Sequence, residues 1–264
     1  MRVMVIGSTG LLGQYLCKHF STKHELMELH RTVLKDDDKL KALINNFNPE
    51  VVLYSAALAD PDLCEIMKEK ADLYNWMGVK KVYECLREET KLIFFSTNYV
   101  FGKAGEYDEN AHPNPINYYG ITKYCGELEA MKNEETLIIR LSKLYGLFSI
   151  GVNPRFLFDI FLSRDVGVDN VLIRYPLFTE DIPKITDMLL DREGIIHVCN
   201  DKGVTKYQWA LIAKEIMDTN SKIYPTYEES KAKRPNNVKL VSSESDIRAT
   251  SLEKGMEAIY GQLS

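Results

Sequence analysis

RVMVIGSTGLLGQYLCKHF, residues 2–20, passes from a short apolar run through three glycines into a segment with helical spacing. RVMVI (2–6) reads as a strand and LLGQYLCKHF (11–20) as a helix. Between them Gly7, Gly10 and Gly13 stand as G-x-x-G-x-x-G. Glycines at a strand-to-helix turn let the backbone bend tightly and approach a pyrophosphate, while the helix N-terminus supplies N–H donors and a positive dipole end. The first spacing differs from G-x-G-x-x-G, and an ordinary tight packing turn is the alternative. The order strand, loop, helix favours a dinucleotide site formed by Gly7, Thr9, Gly10, Leu11, Leu12 and Gly13.

The same alternation continues outward. Apolar runs at 25–29, 51–57, 91–97 and 136–142 are separated by helix-period stretches at 38–47, 69–88 and 118–132. Strands alternating with helices imply parallel pairing through right-handed crossovers, and near-continuous apolar strands imply a sheet covered on both faces. The expected fold is therefore α/β, a Rossmann-like doubly wound parallel sheet. After Gly146 the rhythm breaks: helices are expected at 153–165, 179–191, 205–218 and 251–263, a strand at 194–200, and irregular chain over 220–250. This divides the chain into a dinucleotide-binding domain, 1–146, and a small substrate-binding lobe, 147–264, with segments returning to the sheet.

The 264 residues suffice for a sizeable core. A net charge of -5 offers no basic footprint for nucleic acid, and no apolar run reaches membrane-span length. Five scattered cysteines without C-x-x-C spacing suit reduced thiols in a cytoplasmic protein, and five histidines without paired spacing give no metal site.

Cofactor choice is read at the end of the second strand, where an acid would hold a ribose 2′-hydroxyl and a base a 2′-phosphate. The sequence there is ELHRT, with His30 and Arg31 near the strand end; Arg31 favours NADP over the alternative of a solvated surface arginine. A tyrosine four residues before a lysine shares a helix face with it, and the ammonium can lower the phenol pKa. Y-x-x-x-K occurs three times, at Tyr99–Lys103, Tyr119–Lys123 and Tyr227–Lys231. Only Tyr119–Lys123 opens a helix-compatible segment, with Asn117 as N-cap, after a strand ending in Ser96 and Thr97. Tyr118 and Tyr124 then face elsewhere and serve packing.

GSTGLLG, SAA (55–57), DLCE (62–65), Asn75, STNYVFG (96–102), PNPINYYGITKYCGE (113–127), IIRLSKLYG (138–146), GIIHVCN (194–200) and KRPNNVKL (233–240) together resemble the extended short-chain dehydrogenase/reductases, and within them the dTDP-4-dehydrorhamnose reductases. The resemblance covers 1–146 most fully, 178–218 less, and little beyond. It implies an NADPH-dependent reductase of a 4-keto nucleotide sugar. Thr97, Tyr119 and Lys123 would be catalytic. Ser55, Ala56 and Ala57 would pass along the NADP, and Asn98, Tyr99, Lys143 and Arg234 would meet the substrate. The partner is then a small nucleotide sugar, with a homodimer as a candidate assembly.

Several positions depart from that pattern. Asn98 replaces the aspartate that follows the threonine, Lys143 replaces a pocket tryptophan, Tyr15 stands where some relatives carry a magnesium-binding carboxylate, and 147–178 is short. Asn98 and Tyr99 also lack the carboxylates of sugar-nucleotide dehydratases. The competing expectation is a non-catalytic NADP-binding protein similar to the regulatory beta subunit of methionine adenosyltransferase, which shares this fold.

Overall fold

The computed structural model describes residues 1–148, 151–227 and 230–263. The first half runs β1 (Arg2–Ile6), α1 (Leu11–Phe20), β2 (Glu25–Leu29), α2 (Asp37–Phe47) and β3 (Val51–Tyr54). It continues with α3 (Pro61–Ile66), α4 (Lys68–Asp72), α5 (Gly78–Tyr83), β4 (Lys91–Thr97), β5 (Gly105–Tyr107), α6 (Tyr118–Ala130) and β6 (Thr136–Leu141). Then come β7 (Leu144–Phe148), β8 (Gly151–Asn153), α7 (Arg155–Phe161), β9 (Val166–Asp169), β10 (Leu177–Phe178) and α8 (Asp181–Met188). The chain closes with β11 (Gly194–Val198), α9 (Lys206–Ile216), β12 (Ile223–Thr226), β13 (Val238–Leu240) and α10 (Leu252–Leu263).

Six strands form one parallel sheet in the order β11-β6-β4-β3-β1-β2. The strands are apolar throughout because both faces are covered, and alternate residues feed opposite cores. Met4, Ile6, Val52, Tyr54, Leu92, Phe94 and Ile138 pack on one side, in the same cluster as Leu40, Ile44, Val79 and Val82 from α2 and α5. Val3, Val5, Leu53, Ile93, Phe95, Leu137 and Ile139 pack on the other with Leu12, Leu16, Ile182 and Ile185 from α1 and α8. A third apolar cluster joins Tyr145, Leu157, Ile160, Trp209, Ala213, Met256 and Ile259.

The long strands and helices lie where the spacing places them. The structure also holds elements that the sequence reading omits, α3, β5 and β7 to β10, and two further regions are read differently. The helix expected over 69–88 is α4 and α5 joined by a π-helical turn, Leu73–Met77. The stretch 220–250 holds two short parallel strands, β12 pairing with β9 and β13 with β5. Strands of three or four residues are too short to carry a readable period; the partner strand makes them. Among the described residues no helix is long and apolar enough to cross a membrane.

Candidate functional site

The glycine loop closes onto the end of β1 by steric necessity. Gly7 has φ +97°, and a Cβ there would fall 2.5 Å from the Ala56 nitrogen. A Cβ on Gly13 would fall 2.1 Å from the Gly7 carbonyl oxygen, so α1 starts directly against the loop. Gly7 and Ser8 donate their N–H groups to the Leu29 carbonyl at 2.8 and 3.1 Å, which ties the loop to β2. Gly10 is the N-cap of α1 and no side chain caps it, leaving Thr9, Gly10 and Leu11 at the surface of an open helix N-terminus. Ser55 Oγ donates to the Ile6 carbonyl at 3.1 Å, and Ala56 packs under Gly7. Loop, open N-terminus and the Ser55–Ala57 strand end form a cradle whose shape and dipole suit a dinucleotide pyrophosphate.

Arg31 leaves the end of β2 and crosses to β3. Its Nη1 donates to the Ala57 carbonyl at 2.8 Å, and the guanidinium lies 4.9 Å from the centre of the Tyr74 ring. His30 is exposed, and its Nδ1 faces Thr32 Oγ1 at 2.8 Å.

The second half of the site stands at the carboxyl end of β4, on the same side of the parallel sheet as the glycine loop. Asn117 caps α6, accepting from the Gly120 N–H at 2.8 Å, which fixes Tyr119 in the first turn. Thr97 Oγ1 accepts from the Tyr99 N–H at 3.2 Å and lies close enough to the Tyr119 phenol to lower its pKa. The rings of Tyr99 and Tyr119 meet edge to face, 5.9 Å apart. Asn98 Nδ2 donates to the Val238 carbonyl at 3.4 Å. Tyr118 instead turns to Asp72, donating at 2.9 Å, and Tyr124 packs with Val100, Phe101 and Val238.

One electrostatic expectation is corrected. The Lys123 ammonium does not lower the Tyr119 phenol; burial holds that phenol above its ordinary range, with the Thr97 hydroxyl pulling it partly back. Lys123 is itself buried, donating to the Phe95 carbonyl at 2.6 Å and lying 3.9 Å from the centre of the Phe94 ring. Burial pushes its pKa down to about 7, with Glu127 opposing.

Arg234 is held by a two-pronged pair to Asp62, at 3.2 and 2.7 Å. Lys143 is reached by solvent yet walled closely by protein, and its pKa falls to about 8, first through lost hydration and then through Lys206 and Arg174. Sequence reading did not single out Asp62, Arg174 or Lys206 as site residues, because no spacing links them to the glycine loop or to Tyr119. Asn75 was noticed only within the resemblance; fully buried, it accepts from the Leu58 N–H at 2.8 Å and donates to Thr122 Oγ1 at 2.9 Å, anchoring the β3 exit to α6. Among the described residues no cluster of histidine, cysteine or carboxylate side chains could hold a metal ion.

A family model, the RmlD substrate binding domain, matches residues 1–258. The chain belongs to this family. As an RmlD-type chain it is also 31% identical over 231 residues to methionine adenosyltransferase 2 subunit beta of Xenopus tropicalis, covering 78% of this chain and 69% of that protein. Its fold matches the dTDP-4-dehydrorhamnose reductase of Bacillus anthracis in complex with NADP, with TM-score 0.90 and 22% identity over 100% of this chain and 99% of that one. A hypothetical dTDP-4-dehydrorhamnose reductase from Sulfolobus tokodaii gives TM-score 0.84 and 29% identity over 97% of this chain and 99% of that one. The RmlD family assignment thus agrees with the resemblance read from the glycine loop and YGITK.

Proposed function

We propose that this chain is an NADPH-dependent reductase of a 4-keto nucleotide sugar. The observation that carries the reading is the meeting of the Thr97 hydroxyl and the Tyr119 phenol at the carboxyl end of β4, on the same side of the sheet as the glycine cradle. The cradle fits a dinucleotide: positive φ at Gly7, no room for a side chain at Gly13, and an uncapped α1 N-terminus. Gly7, Thr9, Gly10, Leu11, Leu12 and Gly13 would hold the pyrophosphate, with Ser55, Ala56 and Ala57 along its course. Arg31 and His30 would meet the adenosine end, where Arg31 favours a 2′-phosphate. NADPH, when bound, supplies hydride to the carbonyl carbon.

The chain's own residues manage the proton and the developing charge. The Tyr119 phenol, kept protonated by burial, donates its proton to the ketone oxygen. Thr97 Oγ1 hydrogen-bonds the same oxygen and stabilises negative charge as it forms. Lys123, one turn further along α6, holds the helix to β4 through the Phe95 carbonyl and so keeps Tyr119 in place. Asn98 and Tyr99 border the sugar without offering the carboxylates that an elimination needs, so the arrangement serves reduction and not dehydration.

The 31% identity to methionine adenosyltransferase 2 subunit beta favours a second reading, an NADP-binding regulatory subunit that turns nothing over. NADPH consumption against a panel of nucleotide keto sugars separates the two. Turnover abolished by Tyr119→Phe supports the reductase. Tight NADPH binding with no turnover of any sugar, together with co-elution with a methionine adenosyltransferase, supports the regulatory reading and refutes the first.

A further inference from the structure

Backbone pairing links the segments that carry three cationic residues, beginning just beyond the carboxyl end of β6. Leu141 is in register with Thr97, so Lys143 and Tyr99 each stand two residues beyond one rung, at the carboxyl ends of neighbouring strands. The Lys143 carbonyl accepts from the Leu177 N–H at 2.8 Å. Three residues earlier, Arg174 bridges to Val204 through two backbone hydrogen bonds of 2.8 Å, and Lys206 follows as the first residue of α9.

The cluster is short of close counter-charge. The strongest charge acting on Lys143 is Lys206, then Arg174; the strongest on Lys206 is Arg174. Both lysines are held below their ordinary range, first by lost hydration from the protein packed around them and then by these neighbours. Asp60 faces Lys143, and Asp169 faces Lys206 while also accepting the Val171 N–H at 2.9 Å. Asp62 is committed to Arg234. Arg174 Nη1 donates to the Ile173 carbonyl, and among the described residues Lys143, Arg174 and Lys206 form no ion pair. Like charges crowded together repel one another, and a bound anion relieves the repulsion.

We propose that Lys143, Arg174 and Lys206 form an anion subsite that takes the diphosphate of the substrate, while Arg234, engaged by Asp62, braces the wall. The inference rests on the nucleotide-sugar reading above. It makes Lys143, which replaces an aromatic pocket residue of the resembling family, a charged contact to the ligand.

The test uses the full chain saturated with NADP, so that the glycine cradle is filled. Inorganic pyrophosphate, dTDP and thymidine are titrated calorimetrically into wild type, Lys143→Met, Lys206→Met and the double variant, with Lys143→Gln and Lys206→Gln guarding against misfolding. Pyrophosphate and dTDP should bind wild type, each single variant should weaken both by at least about 10-fold, and NADP affinity should be unchanged. Thymidine, lacking the phosphates, should not distinguish the variants. Failure of pyrophosphate to bind wild type, or equal dTDP affinity in the double variant, overturns the subsite. Loss of dTDP binding in the variants with no keto sugar reduced by wild type leaves the subsite standing and removes the reductase reading.

Discussion

Lys123→Met should make the folded protein more stable while abolishing turnover. Lys123 is 2% exposed, and its pKa falls from 10.5 to about 7 because burial disfavours the ammonium. That displacement corresponds to roughly 5 kcal/mol against the charged form. The hydrogen bond to the Phe95 carbonyl and the contact with the Phe94 ring favour the charged form and offset part of it. Methionine fills a similar volume with no charge, so a net gain of about 2 kcal/mol is expected, a rise in Tm of roughly 4–8 °C. The sign with pH follows from a folded pKa below the unfolded one. The penalty is full below the folded value near 7 and disappears above the unfolded value of 10.5. The variant's advantage should therefore be largest in mildly acidic buffer and shrink as pH rises towards 10.5. Thermal unfolding of both proteins across that range, followed by circular dichroism, measures it. A variant less stable than wild type in mildly acidic buffer, by a margin that does not change with pH, would refute the reasoning.

Tyr119→Phe removes the phenol proton and keeps the ring, so kcat should fall at least about 100-fold, whereas Tyr118→Phe and Tyr124→Phe should cost far less. Steady-state NADPH oxidation checks all three, and an active Tyr119→Phe would dismiss the assignment. Arg31→Ala should narrow the preference for NADPH over NADH by about 1.5–3 kcal/mol, read from the two dissociation constants. Equal constants in wild type would remove Arg31 from the phosphate site. Gly13→Ala should lose NADP binding, since its Cβ would meet the Gly7 carbonyl oxygen at 2.1 Å and force α1 off the loop; calorimetry showing wild-type affinity would contradict the cradle.

The sheet was legible because burial on both faces writes it as continuous apolar runs. KLIFFST and TLIIRLS are recognisable without any partner, and their ends mark where side chains emerge. Tyr119 was legible through Asn117, a local capping signal. The ionic state of the site was not. Spacing places Tyr119 and Lys123 on one helix face but says nothing of hydration, and burial proves the larger effect on both groups. Nor could spacing reveal that Arg234, 172 residues along the chain from Asp62, is already engaged by it. Lys206 reads locally as the first residue of a capped helix, since Thr205 and Gln208 complete a capping box. Its proximity to Lys143 depends on the Arg174–Val204 bridge, a tertiary pairing of single residues with no period to read.

Polar burial behind the site has a mechanical sense. Ser96, Arg140 and His197 occupy one rung across β4, β6 and β11. Glu127 from α6 covers them, accepting from Ser96 Oγ and from two guanidinium nitrogens of Arg140 at 3.0 and 2.7 Å. Burial lowers the His197 pKa, so its neutral ring donates through Nδ1 to backbone carbonyls and accepts from Arg140 at Nε2, 3.3 Å away. Apolar residues of equal volume would hold the layers together as well or better, so stability alone does not account for the pair. Its geometry does more. Lys123 and Glu127, one turn apart on α6, grip consecutive residues of β4, the Phe95 carbonyl and the Ser96 hydroxyl. Tyr119 lies one turn before Lys123, and Thr97 one residue after Ser96. The two grips therefore fix the register of helix against strand at the point where the Tyr119 phenol and the Thr97 hydroxyl must address one oxygen atom, a tolerance that slippery apolar packing does not guarantee.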